Sequence, residues 1–299
     1  MNSLQNKTII ITGGSKGIGL AVAKQCAKAG ADLILVARQN SDLKSAVEAL
    51  EGDGKYEWYS LDVSTQSDVK KFADYMKQKF GAIDGLVNGA GMLSPVGKTA
   101  DVDCDSFVKT LHVNFLGTFY MCHYLIPLLN IHANRAKIVN FSGGGAAGPF
   151  PRYTAYAASK AAVMRFTENI AYEYKENHID INAVAPGFVA TGIHDATFAA
   201  GEKAAGKFFE YTKQKIAEGG VDPDIAGQLT VFLLSSASNG ITGKMISAIW
   251  DPWRAAGFQE KLRVDKDFAT LRRIDEMNFT KKCLWEKIIT KLRSLVRGK

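Results

Sequence analysis

Tyr156 and Lys160 are four residues apart, just beyond the glycine-rich loop Ser142–Gly145. On a helix, residues i and i+4 share a face, so the phenol and the ammonium can point into one site. A free phenol titrates near 10, too high to exchange protons readily at neutral pH. A neighbouring cation favours phenolate, and a phenol so adjusted can pass a proton to or from an oxygen. Tyr153 is the rival tyrosine, but it lies seven residues from Lys160 and is expected to line a pocket instead. The chemistry that this pair offers is general acid–base catalysis.

A second chemical signal lies near the N-terminus. Thr12–Gly19 reads TGGSKGIG, between an apolar β-branched run at Lys7–Ile11 and an amphipathic stretch at Gly17–Ala29. Gly13 suits a tight turn, Gly17 lets backbone approach a pyrophosphate, and Gly19 allows close helix packing. The helix N-terminus then offers unpaired N–H groups and the positive end of its dipole. Glycines in this strand–turn–helix setting predict a dinucleotide site. The next strand ends Val36-Ala37-Arg38, with no carboxylate to take a ribose 2′-hydroxyl. Arg38 and Lys16 are the charged donors that a 2′-phosphate needs, so NADP(H) is expected over NAD(H).

The elements that must position these groups alternate along the chain. Strands are expected at Lys7–Ile11, Ala31–Ala37, Tyr56–Leu61, Gly85–Val87, Lys137–Phe141, Asp180–Val184 and Lys244–Ile249. Helices are expected at Gly17–Ala29, from an N-cap at Ser41, and at Gln66–Phe80, Asn114–Asn130, Thr154–Asn177 and Asp224–Leu234. This pattern predicts an α/β fold, a doubly wound parallel sheet in one domain over 1–250. The segment 187–220 interrupts the rhythm and reads as a mobile substrate cover or a packed helical insertion. Residues 251–299 form a C-terminal extension, and at its junction Trp250 and Trp253 around Asp251-Pro252 suggest a packed corner.

Composition narrows the function. The 299 residues are 46% hydrophobic and 22% charged, which suffices for one sizeable core. Four scattered cysteines and five histidines show no metal or redox spacing, so no metal site is expected. Neither a signal peptide nor a spanning helix is indicated, which predicts a cytoplasmic protein. The formal charge is +7, and Lys281–Lys299 carries +6 of it, so the body offers little to nucleic acid. Within 281–299, Leu284, Trp285, Ile288, Ile289, Leu292, Leu295 and Val296 recur at helical spacing among lysines and arginines. Such a helix lies on an anionic membrane surface, or packs its apolar stripe on the body or a second subunit.

The sequence resembles the short-chain dehydrogenase/reductase family over roughly Lys7–Ile249. The likeness rests on TGGSKGIG at 12–19, LDV at 61–63, NGAG at 88–91, VN at 113–114, YAASK at 156–160 and PG at 186–187. It implies a Rossmann-type fold, a nicotinamide cofactor, a small carbonyl or alcohol substrate, and a homodimer or homotetramer. Tyr156, Lys160 and Asn114 would be catalytic, with Asn114 anchoring a proton-relaying water. The cofactor would be met by Gly13, Ser15, Lys16, Gly17, Ile18, Gly19, Arg38, Asp62, Val63, Asn88 and Ala90. It would also be met by Tyr156, Lys160, Pro186, Gly187, Val189 and Thr191, with Asp62 at the adenine and Thr191 at the nicotinamide amide.

The chain departs from the family at two places. The usual serine falls thirteen residues before the tyrosine, where this chain has Gly143. Either Ser142 substitutes for it or a backbone N–H does. Gly89 stands where asparagine is commoner, and is expected to loosen a supporting hydrogen-bond network. Phe150, Arg152, Tyr153, His194, Phe198, Phe208 and Phe209 are candidates for a substrate pocket. Arg152 among aromatics suggests a ring with an anionic group, such as a sugar nucleotide. A plain apolar pocket for a small ketone is the competing reading, and a cofactor-sensing protein with weak catalysis is the competing function.

Overall fold

The structure, a computed structural model, describes residues 3–130 and 135–273. Seven parallel strands form one sheet: β1 (Thr8–Thr12), β2 (Asp32–Ala37), β3 (Tyr56–Ser60), β4 (Gly85–Asn88), β5 (Ala136–Phe141), β6 (Ile179–Ala185) and β7 (Met245–Ser247). Their order is β3-β2-β1-β4-β5-β6-β7. The chain runs outward from β1 to β3 and returns to β4 on the other side. This reversal opens a crevice beyond the carboxyl ends of β1 and β4, where ligands of such sheets bind. The central strands are apolar on both faces because helices cover both. Ile9, Ile11, Val139 and Val184 face one layer, and Ile10, Ile138 and Ile181 the other.

One layer holds α1 (Gly17–Lys28) and α9 (Pro223–Leu234). They approach closely at Gly227, where a Cβ would stand 2.6 Å from Gln25 Cγ. The other layer holds α3 (Gln66–Phe80), α5 (Gly117–Leu125) and α6 (Thr154–Glu173). Helix α2 (Asn40–Glu48) starts from Gln39, two residues before the expected cap at Ser41.

The long helix expected from Asn114 begins earlier and is not uniform. Helix α4 (Cys104–Leu111) is capped by Asp103, whose carboxylate accepts from the Ser106 N–H at 2.7 Å. A π-helical turn, His112–Leu116, then joins it to α5. Such a turn rotates the helix face, and here it carries Asn114.

The segment over the sheet edge is the packed helical insertion. A short turn at Gly192–His194 leads to α7 (Asp195–Ala205) and α8 (Lys207–Ala217). After β7, Trp253 is buried against Phe232 while Trp250 is 83% exposed, so only one side of the expected corner packs. Helix α10 (Ala256–Val264) buries Leu262 in the main core. The next turn is drawn in by Lys244, whose buried ammonium donates to the carbonyls of Asp265, Lys266 and Phe268 at 2.7, 3.1 and 3.0 Å. The basic stretch 281–299 lies outside the described residues. Among those residues no helix is long and apolar enough to cross a membrane, and no group of His, Cys, Asp and Glu is arranged to hold a metal.

Candidate active site

A cleft of about 770 Å³ opens at the β1/β4 reversal. Its floor is the first turn. Gly13 adopts a φ of +67°, and a Cβ on Gly19 would stand 2.1 Å from the Gly13 carbonyl oxygen, so only glycine lets α1 start this close. Thr12 ties this turn to the loop after β4, since its hydroxyl oxygen accepts from the Gly89 and Ala90 N–H groups at 3.1 and 3.2 Å. A Cβ on Gly89 would lie 2.8 Å from the Thr12 carbonyl oxygen. Glycine is therefore what permits this close approach.

Of the residues expected at the cofactor, Gly13, Ser15, Lys16, Gly17, Ile18, Gly19, Arg38, Asp62, Val63, Ala90 and Thr191 line the cleft. Thr191 faces the glycine turn, with its Cγ2 3.3 Å from the Cβ position of Gly17. Asn88 is buried beneath the cleft. Its Nδ2 donates to Asn140 Oδ1 at 2.9 Å, and Asn140 in turn donates to Thr167 on α6 at 2.8 Å. Val189 is buried, and Gly187 packs on Ile249, so with Pro186 they lead the chain to Thr191 without forming the wall.

The charges at the adenosine end are arranged differently from expectation. Arg38 lies exposed on the cleft wall. Lys16 is instead paired with Asp42 on α2, at 2.7 Å. Burial opposes the charge on Asp62, but hydrogen bonds from Ser64 and the nearby cations Arg38 and Lys109 outweigh it and hold its carboxyl below the usual range. Lys109 and Asp42 both line the cleft and escaped the sequence reading. Lys109 was missed because its helix, α4, was; Asp42 because it meets Lys16 only in three dimensions.

The catalytic candidates gather at the other end. A Cβ on the cleft residue Gly91 would stand 3.4 Å from Asn114 Oδ1 and 3.6 Å from Lys160 Nζ. Asn114 is fully buried. Its Oδ1 accepts from the Met92 N–H at 2.8 Å, and its Nδ2 donates to the Met92 carbonyl at 3.0 Å and to Ser159 Oγ at 2.9 Å. Its backbone carbonyl accepts from the Thr118 hydroxyl at 2.9 Å. Those bonds make Asn114 a clamp between the β4 loop and α6.

Lys160 Nζ donates to the Phe141 carbonyl at 2.8 Å and lies 5.7 Å from the Tyr156 ring centre. Burial lowers the ammonium to about 8 and pushes the Tyr156 phenol up to about 12. Desolvation thus outweighs the acidifying influence that the spacing suggested, and the tyrosine keeps its proton at neutral pH.

The glycine loop explains the missing serine in part. A Cβ on Gly143 would lie 2.1 Å from Tyr156 Oη, so the phenol oxygen occupies the space of a side chain at that position. Ser142 Oγ is buried with no hydrogen-bond partner, and the Ser142 N–H continues the sheet to Val184 at 2.9 Å.

The expected pocket residues also take definite places. Tyr153 is fully buried, its hydroxyl donating to Thr197 at 3.1 Å and its ring stacked on Phe150 at 4.5 Å. Arg152 Nη1 donates to the carbonyls of Lys203 and Ala204, both at 2.9 Å, at the end of α7. His194 stacks on Phe188 at 4.2 Å, and burial lowers its pKa. Phe208 meets Phe150 and Tyr153, whereas Phe198 packs on Phe209 and is partly exposed.

The crevice, the glycine turn and the Tyr–Lys pair define a Rossmann-type oxidoreductase. The family described as short chain dehydrogenase matches residues 7–201, and the chain belongs to that family. Its members bind nicotinamide dinucleotides and act on small molecules. The chain is 34% identical, over 83% of its length and 91% of the relative's, to the uncharacterized oxidoreductase YxbG of Bacillus subtilis. Among solved structures it is similar to an NAD+-bound xylitol dehydrogenase, with a TM-score of 0.75 and 25% identity over 82% of this chain and 98% of that one. A short chain dehydrogenase of Shigella flexneri complexed with NADP shares the fold, with a TM-score of 0.71 and 24% identity over 83% and 98% of the two chains.

Proposed function

We propose that the chain is an NADP(H)-dependent carbonyl reductase, reversible as an alcohol dehydrogenase, with Tyr156 as its proton donor. The observation that carries this reading is the Tyr156 phenol beside Lys160, with Lys160 Nζ 3.6 Å from the Cβ position of the cleft residue Gly91. No described group hydrogen-bonds the Tyr156 hydroxyl, and burial holds its pKa near 12. A phenol that stays protonated can deliver its proton to a carbonyl oxygen as that oxygen gains negative charge.

The glycine turn fits a pyrophosphate, because Gly13, Gly17 and Gly19 bring the backbone at the start of α1 to the cleft wall. Bound there, the reduced nicotinamide would supply hydride to the carbonyl carbon. Arg38 would meet a 2′-phosphate with charge-assisted donors, and no carboxylate stands at the end of β2, where Ala37 runs into Arg38. Lys160 fixes the Phe141 carbonyl beneath the site and places a cation near the phenol. Asn114 holds the loop at Met92 in register with α6. Ser142 is left without a step, since its hydroxyl is buried.

The test is NADPH oxidation against a panel of ketones, with Tyr156→Phe as the control. Turnover by the wild type and its loss in the variant, with cofactor binding retained, supports the assignment. Absence of turnover with every ketone and with both NADPH and NADH overturns it in favour of a cofactor-sensing protein, the reading that Gly143 motivates.

A further inference from the structure

We infer that the carbonyl substrate is an uncharged, apolar ketone of ring size or larger, held by a wall of aromatic and aliphatic side chains, and not a phosphorylated or nucleotide-linked sugar. This rests on the reductase reading and names the substrate class of the same site.

The cleft runs past Gly91 and Thr191 to Leu93, Ile193 and Ala196. Those three residues belong to one apolar cluster with Tyr156, Phe150 and Phe208. A substrate that places its carbonyl at the Tyr156 hydroxyl therefore places its remaining atoms against hydrocarbon. Transfer of apolar surface to such a wall is favourable, while an anion brought there loses its hydration without a partner.

The polar groups that would serve an anion are engaged elsewhere. Arg152 was the natural candidate, but its Nη1 donates to the Lys203 and Ala204 carbonyls, and its Nε lies 2.7 Å from the Cβ position of Gly206. The Tyr153 hydroxyl is bound to Thr197. His194 is stacked on Phe188 and disfavoured as a cation by burial. The ionisable side chain that does line this end is Asp195, at the first turn of α7, which repels phosphate.

The experiment compares kcat/KM of the wild-type protein, with NADPH, for 2-decalone, dihydroxyacetone and dihydroxyacetone phosphate. We expect 2-decalone to exceed both by about 100-fold. A ratio under tenfold against either polar ketone overturns the proposal. In Phe150→Ala the ratio of 2-decalone to dihydroxyacetone should fall about tenfold, a readout insensitive to overall loss of activity; an unchanged ratio overturns the wall. Calorimetry on Tyr156→Phe with bound cofactor separates the two readings. Binding of 2-decalone without turnover by the wild type sinks the reductase assignment alone. Reduction of dihydroxyacetone phosphate without binding of 2-decalone sinks the substrate class alone.

Discussion

The Tyr156 hydroxyl stands where the side chain of residue 143 would be, 2.1 Å from the Cβ position of Gly143. No side chain fits there unless the phenol moves. Gly143→Ala should therefore displace the proton donor and lower kcat by about 100-fold, in the range of a lost general acid. Overpacking should cost about 1–3 kcal/mol of stability. Steady-state kinetics and thermal melting check both; an alanine variant with unchanged kcat would show that the phenol has another working position.

Ser142→Ala should behave in the opposite way. Its hydroxyl is buried without a partner, so its removal relieves an unsatisfied polar group. Expected are a kcat within about threefold of the wild type, well short of a lost general acid, and an equal or higher melting temperature. A loss approaching that of Tyr156→Phe would restore Ser142 to the catalytic set.

The Lys160 ammonium titrates near 8 in the folded chain against an ordinary 10.5, because burial disfavours its charge. Between those values the unfolded chain holds the proton and the folded chain has lost it, so stability rises with pH across that window. Tyr156 acts later and with the other sign: raised from 10 to about 12, it contributes stability that is lost above pH 10. Urea midpoints at pH 7.5 and 9.5 should show a gain in the wild type that Lys160→Met lacks. Parallel behaviour of the two proteins would refute the assignment.

Cofactor choice should respond to Arg38 more than to Lys16. Arg38 is exposed on the cleft wall, and Lys16 is held by Asp42. Arg38→Asp should reverse the preference between NADPH and NADH, while Asp42→Ala should free Lys16 and strengthen NADPH binding by a few-fold at low salt. The kcat/KM ratio for the two cofactors is the measure, and an unchanged ratio in Arg38→Asp would remove the argument for NADP(H).

Lys244 links the extension to the domain through three carbonyls. Lys244→Met leaves those carbonyls without their buried donor and should cost about 2–4 kcal/mol, from about 1–3 kcal/mol for each unsatisfied group, partly relieved by water. Thermal melting tests this, with an unaltered melting temperature as the contrary result.

The parts of the fold that were legible were those written locally. Gln66–Phe80 forms the helix that its pattern predicts, and all seven strands fall within two residues of expectation at either end. The glycine turn was legible because strand, glycines and helix are contiguous, and the Tyr156–Lys160 pair because one helix carries both. What sequence spacing could not convey was the partner of each charge. Lys16 meets Asp42 with all of α1 and β2 between them in the chain, and Arg152 meets carbonyls about fifty residues away. The π-helical turn at Asn114 was hidden too, since His112–Leu116 contains neither glycine nor proline. The balance between burial and charge at Tyr156 depends on packing from several elements, which no spacing encodes.

Arg152 and Tyr153, the two residues that lead into the helix bearing Tyr156, are also the ones fastened to α7, through Lys203, Ala204 and Thr197. In the proposed reductase, any displacement of α7 would therefore be transmitted to the start of the helix that aims Tyr156, so the alignment of the acid would depend on a contact remote from the carbonyl it serves.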